Sequence, residues 1–367
     1  MKKPLFKEIA SGIFSFLTTQ FKNADGGYMS SIDADNADGE GAFYTWTKNE
    51  IKTLFKQDYN WFCEYFNISE KGNLNEKNVL SVQPEKRILK VDEKFKKLSA
   101  LKNKLLAARN LREKPATDSK IITSWNALLI CGFVEYYKAT SDINAYLEAE
   151  NLLQFIIKQN VTSNYEVYRI VYNVNSSIEG TFEDYAFLIH ALLSFYSIDP
   201  NLKWIEYAEK LLHSCIVDFG AENGLFYNSR DKRLFYRKLE ITDQVMPSSN
   251  SIMAANFYKL GTILNKKEYV EKSTKMVKLV MEQMKNYPVY HSQWIQLANL
   301  LLFGTAQIQV NLNENLWIKQ LHLHITSELA IVHNPTLKDT EAIICNRNSC
   351  LKPIYSLSEA LQAVQSF

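Results

Sequence analysis

From residue 120 onward, the pattern of apolar and polar positions predicts one helix after another, in two alternating kinds. One kind is apolar almost all round, and the other carries one apolar stripe beside a charged face. The apolar kind comprises WNALLICGFVEYY from Trp125, DYAFLIHALLSFY from Asp184, SIMAANFYKLGTIL from Ser251 and WIQLANLLLFG from Trp294. The striped kind comprises AYLEAENLLQFIIKQ from Ala145, WIEYAEKLLHSC from Trp204 and EYVEKSTKMVKLVMEQM from Glu268.

This alternation predicts a particular helical architecture. A helix that is apolar on every side has to be buried on every side, whereas a striped helix covers a core and faces water. Strict alternation through short turns therefore predicts stacked helical hairpins, with the apolar helices inside and the striped helices outside. The predicted fold is mainly α, an α/α toroid over residues 1–320. An open solenoid of hairpins is the alternative, although its helices would usually all keep one wet face.

Two long connections, residues 161–183 and 218–250, lead from a striped helix to the next apolar helix. Both alternate Tyr, Val, Phe and Leu around Gly-Asn or Asp-Lys turns, which predicts β-hairpins on one rim of the toroid. The segment NADGGYMSS follows a predicted helix over residues 5–22 and resembles GAENGLFYNS, so the two form a short internal repeat. Function is expected on this rim, because loops and helix N-termini meet there.

Two further segments differ from this alternation. Residues 47–117 are predicted to be an inserted segment packed over the rim. It ends in a Lys/Arg-rich amphipathic helix whose charges we interpret as a solvated face. Residues 321–367 contain two short strand-like runs and a helix near 356–366, which predicts a small C-terminal α/β cap.

The charge and cysteine content of the chain argue against several kinds of partner and site. The 42 Lys and Arg against 40 Asp and Glu give a net charge of +2, and no long basic block suggests a nucleic-acid surface. The five scattered cysteines contain no CxxC, so we expect neither a disulfide framework nor a zinc ribbon. No stretch approaches the roughly 20 apolar residues that span a bilayer, and a cytoplasmic location is the expectation.

Polar side chains are concentrated at the predicted starts of the four apolar helices, in DSKIITSWN, EGTFEDY, DQVMPSSN and YHSQW. Ser, Thr, Asp and Asn are also the preferred N-caps, so capping alone explains any one segment. Taken together, carboxylates, amides and aromatic rings around one opening suit a sugar, and glycoside chemistry needs two carboxyl groups about 5–10 Å apart. The candidate catalytic residues are Asp33, Asp35, Glu183 and Asp184. The candidate ligand-binding residues are Tyr44, Trp46, Lys120, Trp125, Asn126, Tyr185, Asn250 and His291.

No metal site or cofactor is predicted. The acids near Asp33 fail as an EF-hand, because Asp38 stands where glycine is needed and Tyr44 stands where the last glutamate belongs. His322 and His324 share one face of a predicted strand but have no nearby third ligand. The sequence contains no GxSxG, Walker A, GxGxxG or HExxH motif, which removes most hydrolase, NTPase and dinucleotide functions.

Five ordered segments carry a family resemblance: GGYMSSIDADNADGEGAFYTWT from Gly26, GNLNEKNVL from Gly72, the run from Arg109 to Ile130, FEDYAFLI from Phe182 and PSSNSIMA from Pro247. With them the chain resembles the C-terminal region of the thioredoxin-domain-containing, spermatogenesis-associated protein family. That region is similar to six-hairpin glycosidases and N-acylglucosamine 2-epimerases. The resemblance covers nearly the whole chain.

The chain departs from the family pattern at Ser119, Ala127 and Ser249, which replace an aspartate and two glycines. The resemblance also implies a thioredoxin-like domain and about three toroid helices before the first residue. We therefore expect an incomplete toroid, with about nine helices where six hairpins need twelve, or one completed by a separate chain that carries the missing part. Two functions follow as hypotheses. The first is a carbohydrate-active or carbohydrate-binding domain with a small sugar ligand, and the second is a catalytically inactive scaffold or partner-binding domain.

Overall fold

The computed structural model describes residues 4–88, 92–173, 176–312, 329–338, 341–346 and 349–365. The chain forms two compact units. Unit 1 comprises residues 1–21 and 29–119, and unit 2 comprises residues 22–28 and 120–367. No helix in the described ranges is both long enough and apolar enough to cross a membrane.

The described part of unit 1 contains four α-helices and four two-residue strands. The helices are α1 (Pro4–Phe16), which continues into a π-helical turn at Leu17–Phe21, α2 (Lys48–Phe55), α3 (Tyr59–Tyr65) and α4 (Glu93–Asn110). The strands are β1 (Ser31–Ile32), β2 (Asp35–Asn36), β3 (Gly39–Glu40) and β4 (Thr117–Asp118), and they pair antiparallel as β1 with β4 and β2 with β3. The predicted basic amphipathic helix is confirmed as α4. Its apolar side contributes Leu98, Leu101 and Leu105 to a core with Phe55 and Phe62.

Arg112 holds the segment before α2 in place. Its Nη1 donates to the carbonyl oxygens of residues 42, 43 and 45 at 3.0, 3.0 and 2.7 Å, and its Nη2 donates to Glu50 Oε1 at 2.8 Å. The guanidinium carbon lies 3.8 Å from the centre of the Trp46 ring, which is buried. One planar cation therefore satisfies three carbonyl groups and covers an indole.

Replacing Arg112 with lysine is expected to destabilise unit 1 by about 2 kcal/mol, because an ammonium group cannot reproduce this planar fork of donors. Hydrogen exchange over residues 29–119 is the measurement. The exposed Arg87 provides the matched control, and Arg87→Lys is expected to leave exchange unchanged. Equal protection in both variants would show that the contacts of Arg112 contribute little.

Helix α1 carries an apolar stripe that is partly exposed. Phe6, Ile9, Ile13 and Phe16 recur at helical spacing and are 39–55% exposed. The Phe16 ring also contacts the Phe21 ring, with 5.5 Å between the ring centres. Helix α1 therefore has the apolar stripe of an outer helix, and part of that stripe is exposed.

Unit 2 confirms the predicted alternation of helices. They are α5 (Thr123–Thr140), α6 (Ile143–Asn160), α7 (Phe182–Tyr196), α8 (Leu202–Phe219), α9 (Ser249–Ile263), α10 (Lys267–Asn286) and α11 (Ser292–Phe303). Helices α5, α7, α9 and α11 contact one another in sequence, and α6, α8 and α10 each pack on the inner helix that precedes them. This is the inner-and-outer arrangement of an α/α toroid. Most residues of α7 and α9 are buried, as an all-round apolar pattern requires.

The prediction that every inner helix is buried on all sides is wrong for α11. Only Trp294 and Leu297 of α11 are buried, while Leu302 and Phe303 are 65% and 70% exposed. Helix α11 contacts α9 and α10. A β-strand follows it at Ala306–Val310, and within the described ranges its far side lacks the cover that α7 and α9 receive.

The internal repeat is confirmed as a turn that occurs three times at the ends of helices. Isolated antiparallel bridges join Lys22 to Tyr28, Val161 to Val167 and Gly220 to Phe226, each across six residues. The first turn needs its two glycines. Gly26 has φ of +106°, and a Cβ on Gly27 would lie 2.6 Å from Ile121 Cδ1.

A polar side chain at the start of an inner helix holds each of these turns. Asn126 accepts from Tyr28 N and donates to Tyr28 O, both at 2.9 Å. Asn250 makes the same pair of bonds with Phe226, both at 2.9 Å, and Val167 N donates to Tyr185 Oη at 3.0 Å. The three side chains are buried, so their polar groups satisfy backbone groups that would otherwise lose their bonds to water.

Asn250→Ala is expected to lower the free energy of unfolding of unit 2 by about 2–4 kcal/mol. The substitution leaves one donor, Phe226 N, and two acceptors, Phe226 O and Glu240 O, without this partner. Urea denaturation measures the change. Asn151, exposed on α6, is the matched control, and Asn151→Ala should change stability by less than about 0.5 kcal/mol. A similar small change for Asn250→Ala would rule out the structural role of the amide.

Of the two predicted rim hairpins, one is confirmed and one is wrong. Strands β5 (Tyr168–Asn173) and β6 (Ser176–Glu179) pair antiparallel. Residues 227–247 contain no strand. Arg237 explains part of this difference, because its guanidinium donates to Ser229 O at 2.8 Å and covers the Tyr227 ring at 4.1 Å. The side-chain contacts of Arg237 therefore stabilise a loop where the sequence predicts a β-hairpin.

The C-terminal part of unit 2 contains a four-stranded sheet. Its strands are β7 (Ala306–Val310), β8 (Leu329–His333), β9 (Ala342–Asn346) and β10 (Ser349–Cys350), in the order β10-β9-β7-β8, with β7 and β8 parallel. Helix α12 (Leu357–Gln365) follows and contacts β9. The sheet begins before residue 321, where the predicted cap starts. Cys345 and Cys350 form a disulfide bond, which the expectation of no disulfide framework missed.

Candidate functional site

Five side chains meet at the N-terminal ends of the inner helices α5 and α7. We call Ser124, Arg169, Thr181, Glu183 and Asp184 the carboxylate cluster. Ser124 lies in the first turn of α5, Thr181 is the N-cap of α7, and Glu183 and Asp184 lie in the first turn of α7. Arg169 comes from strand β5, within the confirmed hairpin. Carboxylates are favoured at this position because the first turn of a helix presents unpaired N–H groups and a partial positive charge.

Asp184 joins the starts of the two helices. Its Oδ1 accepts from Ser124 N at 3.0 Å, and its Oδ2 accepts from Thr181 N at 2.9 Å and Thr181 Oγ1 at 3.1 Å. Arg169 Nη1 lies 3.3 and 3.2 Å from the two oxygens. The side chain is 0% exposed. Burial raises the pKa of the Asp184 carboxyl above its usual value, while Arg169 and the backbone donors oppose that shift.

Glu183 differs from Asp184 in exposure. Its Oε1 accepts from Ser124 Oγ at 2.6 Å and from Arg169 Nη1 at 3.2 Å, and its side chain is 26% exposed. Its second oxygen, Oε2, has no hydrogen-bond partner within the described ranges. Glu183 therefore presents a fixed carboxylate with one oxygen left to contact another molecule.

The carboxylates of Glu183 and Asp184 are close together but differ in their access to a substrate. Because Glu183 Oε1 and Asp184 Oδ2 each lie 3.2 Å from the same nitrogen of Arg169, they cannot be further apart than twice that distance. This upper limit includes the spacing of about 5–5.5 Å between the carboxyl groups of a retaining glycosidase. However, both oxygens of Asp184 are engaged and buried, so of the two carboxylates only Glu183 can contact a substrate.

Trp125 is adjacent in the chain to Ser124 of the cluster and differs in exposure from Trp294, the other tryptophan of the inner helices. It follows Ser124 in the first turn of α5 and is 41% exposed, whereas Trp294 of α11 is fully buried. A large part of the Trp125 side chain therefore lies at the surface and is not packed in the core. Lys120, four residues before Ser124, is half-buried.

The other predicted residues of unit 2 occupy buried positions. The polar groups of Asn126, Tyr185 and Asn250 hold backbone, as described above, and their predicted role in ligand binding stays a prediction. His291 is 3% exposed, and its Nδ1 lies 2.8 Å from Tyr287 O. Because a carbonyl only accepts, Nδ1 carries the proton. Nε2 is buried with no hydrogen-bond partner in the described part of the chain.

Asp243 joins the starts of α9 and α11 by hydrogen bonds, as Asp184 joins the starts of α5 and α7. Its Oδ1 accepts from Ser248 N at 2.8 Å and Ser251 Oγ at 3.1 Å, and its Oδ2 accepts from Gln293 N at 2.9 Å. Asp243 is 7% exposed. A buried carboxylate thus joins two neighbouring inner helices at both places.

The predicted residues of unit 1 have separate surroundings. Asp33 and Asp35 are exposed, and Asp33 Oδ1 accepts from the following backbone N–H at 2.9 Å. Tyr44 is 39% exposed and lies 5.5 Å from the Arg109 guanidinium. Trp46 lies in the core under Arg112. The catalytic role of the two aspartates and the ligand-binding role of the two aromatics stay predictions.

Two cavities lie outside the carboxylate cluster. One of about 300 Å³ is lined in unit 2 by Gln154, Ile157, Lys203, Trp204 and Tyr207. The other, of about 330 Å³, lies in unit 1 and includes Lys48, Tyr59, Cys63 and Lys86 in its lining. Within the described ranges, no group of three or more His, Cys, Asp and Glu side chains is arranged to hold a metal ion. His322 and His324 lie outside those ranges.

Arg169 is the member of the carboxylate cluster that sequence reasoning missed. It is the single charged residue of YRIVYN, the sequence of strand β5, and this strand was correctly predicted. A lone arginine in such a strand needs a carboxylate partner when it is half-buried. The adjacent acids Glu183 and Asp184, at the start of the next helix, were the signal that could have located that partner.

Comparison with known proteins places the chain among longer relatives. An uncharacterised protein of Caenorhabditis elegans is 29% identical over 383 residues, covering 92% of this chain and 52% of the relative. The rat spermatogenesis-associated protein 20 is 24% identical over 408 residues, covering 97% of this chain and 48% of the relative. The chain resembles spermatogenesis-associated protein 20. These relatives support the family resemblance carried by the five motifs, and the chain spans about half their length. No protein-family model matches.

Solved structures similar to this chain include two mannanases and a hydrolase. The GH76 α-mannanase of Bacteroides thetaiotaomicron has a TM-score of 0.41 and 11% identity, covering 63% of this chain and 68% of that one. The α-1,6-mannanase of Salegentibacter has a TM-score of 0.37 and 15% identity, covering 75% and 70%. A heparin-specific unsaturated glucuronyl hydrolase has a TM-score of 0.38 and 12% identity, covering 44% and 46%.

Proposed function

We propose that unit 2 binds a neutral carbohydrate at the carboxylate cluster. The observation that carries the proposal is Glu183, a half-buried carboxylate with one oxygen unoccupied, together with the exposed Trp125, which follows the Glu183 partner Ser124 in the first turn of α5. A sugar offers an apolar ring face to an indole and hydroxyl groups to a carboxylate. A hydroxyl that donates to a charged oxygen makes a stronger bond than one that donates to a neutral acceptor.

The charge of the cluster selects neutral over acidic sugars. Glu183 and Asp184 supply two carboxylates, and Arg169 supplies one cation whose hydrogen bonds go to those same carboxylates. A uronic acid would bring a third carboxylate to Glu183 without a free cation in the cluster to receive it. We therefore expect neutral hexoses and their disaccharides to bind and uronates to bind poorly.

The cluster supports binding more than hydrolysis. Hydrolysis of a glycoside by a pair of carboxyl groups needs both of them at the substrate. Only Glu183 is accessible here, and Asp184 acts by positioning Arg169 and the starts of α5 and α7. A reaction at this site would need a second group from outside the cluster.

A thermal-shift screen tests the proposal. The full chain is heated with neutral mono- and disaccharides, including mannose, glucose and N-acetylglucosamine, and with glucuronate. We expect at least one neutral sugar to raise the melting temperature in proportion to its concentration, while glucuronate has little effect. The absence of a shift with every sugar at tens of millimolar would contradict the proposal.

The exposed stripe of α1 favours a second candidate function, that of a partner-binding domain. Ile9, Ile13 and Phe16 lie on one face of this helix and are 39–55% exposed, and apolar side chains gain free energy when such surface is removed from water. The proposed occupant is an apolar helix from the half of the longer relatives that the match does not cover. Co-expression with the remaining part of the C. elegans relative should give a complex that Ile9→Glu and Ile13→Glu abolish. Failure of the two parts to co-purify would exclude this function.

A further inference from the structure

The Cys345–Cys350 disulfide is asymmetric. It closes the hairpin formed by β9 and the edge strand β10, where the two cysteines stand directly opposite each other. Cys345 is buried, with 3% of its surface exposed, whereas Cys350 is exposed. A thiol in solution therefore has access to one end of this disulfide and not to the other.

A row of hydrogen bonds ends at the buried sulfur. Gln309 Nε2 of β7 donates to Cys345 Sγ at 3.7 Å. Gln309 Oε1 accepts from Asn334 Nδ2 at 3.0 Å, and Asn334 Oδ1 accepts from Thr336 N at 3.1 Å. Each amide is oriented by the next, so the N–H of Gln309 is fixed toward the sulfur. A donor held at a buried sulfur stabilises that sulfur as a thiolate.

The disulfide adds little as a structural crosslink. It joins residues only five apart, and a short loop loses little chain entropy in the unfolded state when it is closed. Strand β9 is already fixed on its other side by pairing with β7 from Ala342 to Asn346. The sheet therefore has no evident need of the bond.

We propose that Cys345–Cys350 is a thiol-exchange site that reacts with dithiol reductants through Cys350. The reductant thiolate attacks Sγ of Cys350 and forms a mixed disulfide, while the electron pair of the Cys345–Cys350 bond passes to Sγ of Cys345. Gln309 stabilises this leaving thiolate. The second thiolate of the reductant then attacks its own sulfur in the mixed disulfide, which releases Cys350 as a thiolate and leaves the reductant oxidised. Two protons from the two reductant thiols complete the balance.

The remaining cysteines serve as internal controls. Burial raises the pKa of Cys131 to about 11, and burial raises the pKa of Cys215 well above its usual value. Burial also raises the pKa of Cys63. Their thiols stay protonated at neutral pH and are expected to react slowly with the same reagents.

Trapping the mixed disulfide tests the site on the full folded chain. In Cys345→Ser, the remaining Cys350 is expected to form an adduct with oxidised glutathione at least tenfold faster than Cys345 does in Cys350→Ser. Peptide mass spectrometry identifies the adduct. In the unmodified chain, dithiothreitol and reduced glutathione are compared as dithiol and monothiol, and the dithiol is expected to complete the reduction. Equal adduct rates, or reduction only at denaturant concentrations that unfold the sheet, would overturn the proposal.

Gln309 is proposed as a positioning residue, and its test separates that role from folding. Gln309→Leu is expected to slow native-state reduction by several-fold. It should also raise the pH at which alkylation of Cys345 in the reduced protein is half-maximal. Gln283 is exposed on α10, and Gln283→Leu is the control expected to change neither quantity. An unchanged pH profile in Gln309→Leu, with the melting temperature preserved, would remove Gln309 from the exchange step.

Discussion

Asp184→Ala is expected to lower the free energy of unfolding of unit 2 by about 3–5 kcal/mol. The carboxylate is fully buried and accepts bonds from Ser124 N, Thr181 N, Thr181 Oγ1 and Arg169. Alanine removes the acceptor of these donors and leaves Arg169 with Glu183 as its one carboxylate partner in the cluster. Because the donors belong to two helices, the loss separates the starts of α5 and α7 as well as breaking individual bonds.

Chemical denaturation with hydrogen exchange as a local probe measures this effect. Exchange should increase at the starts of α5 and α7, and the denaturation midpoint should fall. Asp184→Asn keeps one acceptor oxygen and the shape of the side chain, so its loss of stability is expected to be smaller. Glu206, exposed on α8, is the control, and Glu206→Ala should change stability by less than about 0.5 kcal/mol. A loss below about 1 kcal/mol in Asp184→Ala would contradict the structural role of the carboxylate.

The second large effect is expected on sugar affinity. Trp125→Ala removes the exposed indole face and is expected to weaken binding of a neutral sugar about tenfold or more, because that face would bury apolar area against the ring. Glu183→Gln replaces a charged acceptor by a neutral one and is expected to weaken binding about tenfold. Calorimetric titration with the best sugar from the screen gives the dissociation constants.

Matched controls keep this result specific. Glu206→Gln makes the same chemical change as Glu183→Gln at an exposed outer-helix position. Tyr236→Ala removes an aromatic ring that is 73% exposed in the loop after α8. Neither control should change the affinity. Equal affinities of Trp125→Ala, Glu183→Gln and the unmodified chain would exclude this site as the place where the sugar binds.

The helices were predictable because burial leaves a periodic mark in the sequence. The apolar run of α7 and the stripe of α10 each reflect one environment along a whole helix, and both helices lie where they were predicted. The exposed end of α11 was not predictable in the same way. Its sequence is as apolar as that of α7, and exposure there depends on which element follows and packs on it.

The loop within residues 218–250 and the disulfide could not be predicted, because each depends on individual side-chain contacts that leave no periodic pattern in the sequence. The hairpin expected within residues 218–250 has the alternation of a strand, but Arg237 and its carbonyl acceptor hold a loop instead. The disulfide also left no mark beyond two cysteines five residues apart. Such features require the positions of particular side chains in space.

The candidate site was predictable in part. The pattern located Glu183, Asp184 and Trp125 at inner-helix starts, since polar and aromatic residues there interrupt an otherwise apolar helix. It did not distinguish the buried carboxylate from the accessible one, because adjacent residues in the first turn of a helix point in different directions. It also did not supply Arg169, which arrives from a strand outside the helix that bears the two acids.

The most direct test of the proposed function is the set of indole N–H resonances of the full chain during a sugar titration. The chain has six tryptophans, and Trp125→Phe assigns the resonance of Trp125. We predict that a neutral sugar shifts the Trp125 signal progressively and to saturation, while the signal of the buried Trp294 stays in place. The same titration in Glu183→Gln should need a higher sugar concentration. A Trp125 signal that stays fixed while the sugar binds elsewhere, or that responds equally to glucuronate, would contradict a neutral-sugar site at the carboxylate cluster.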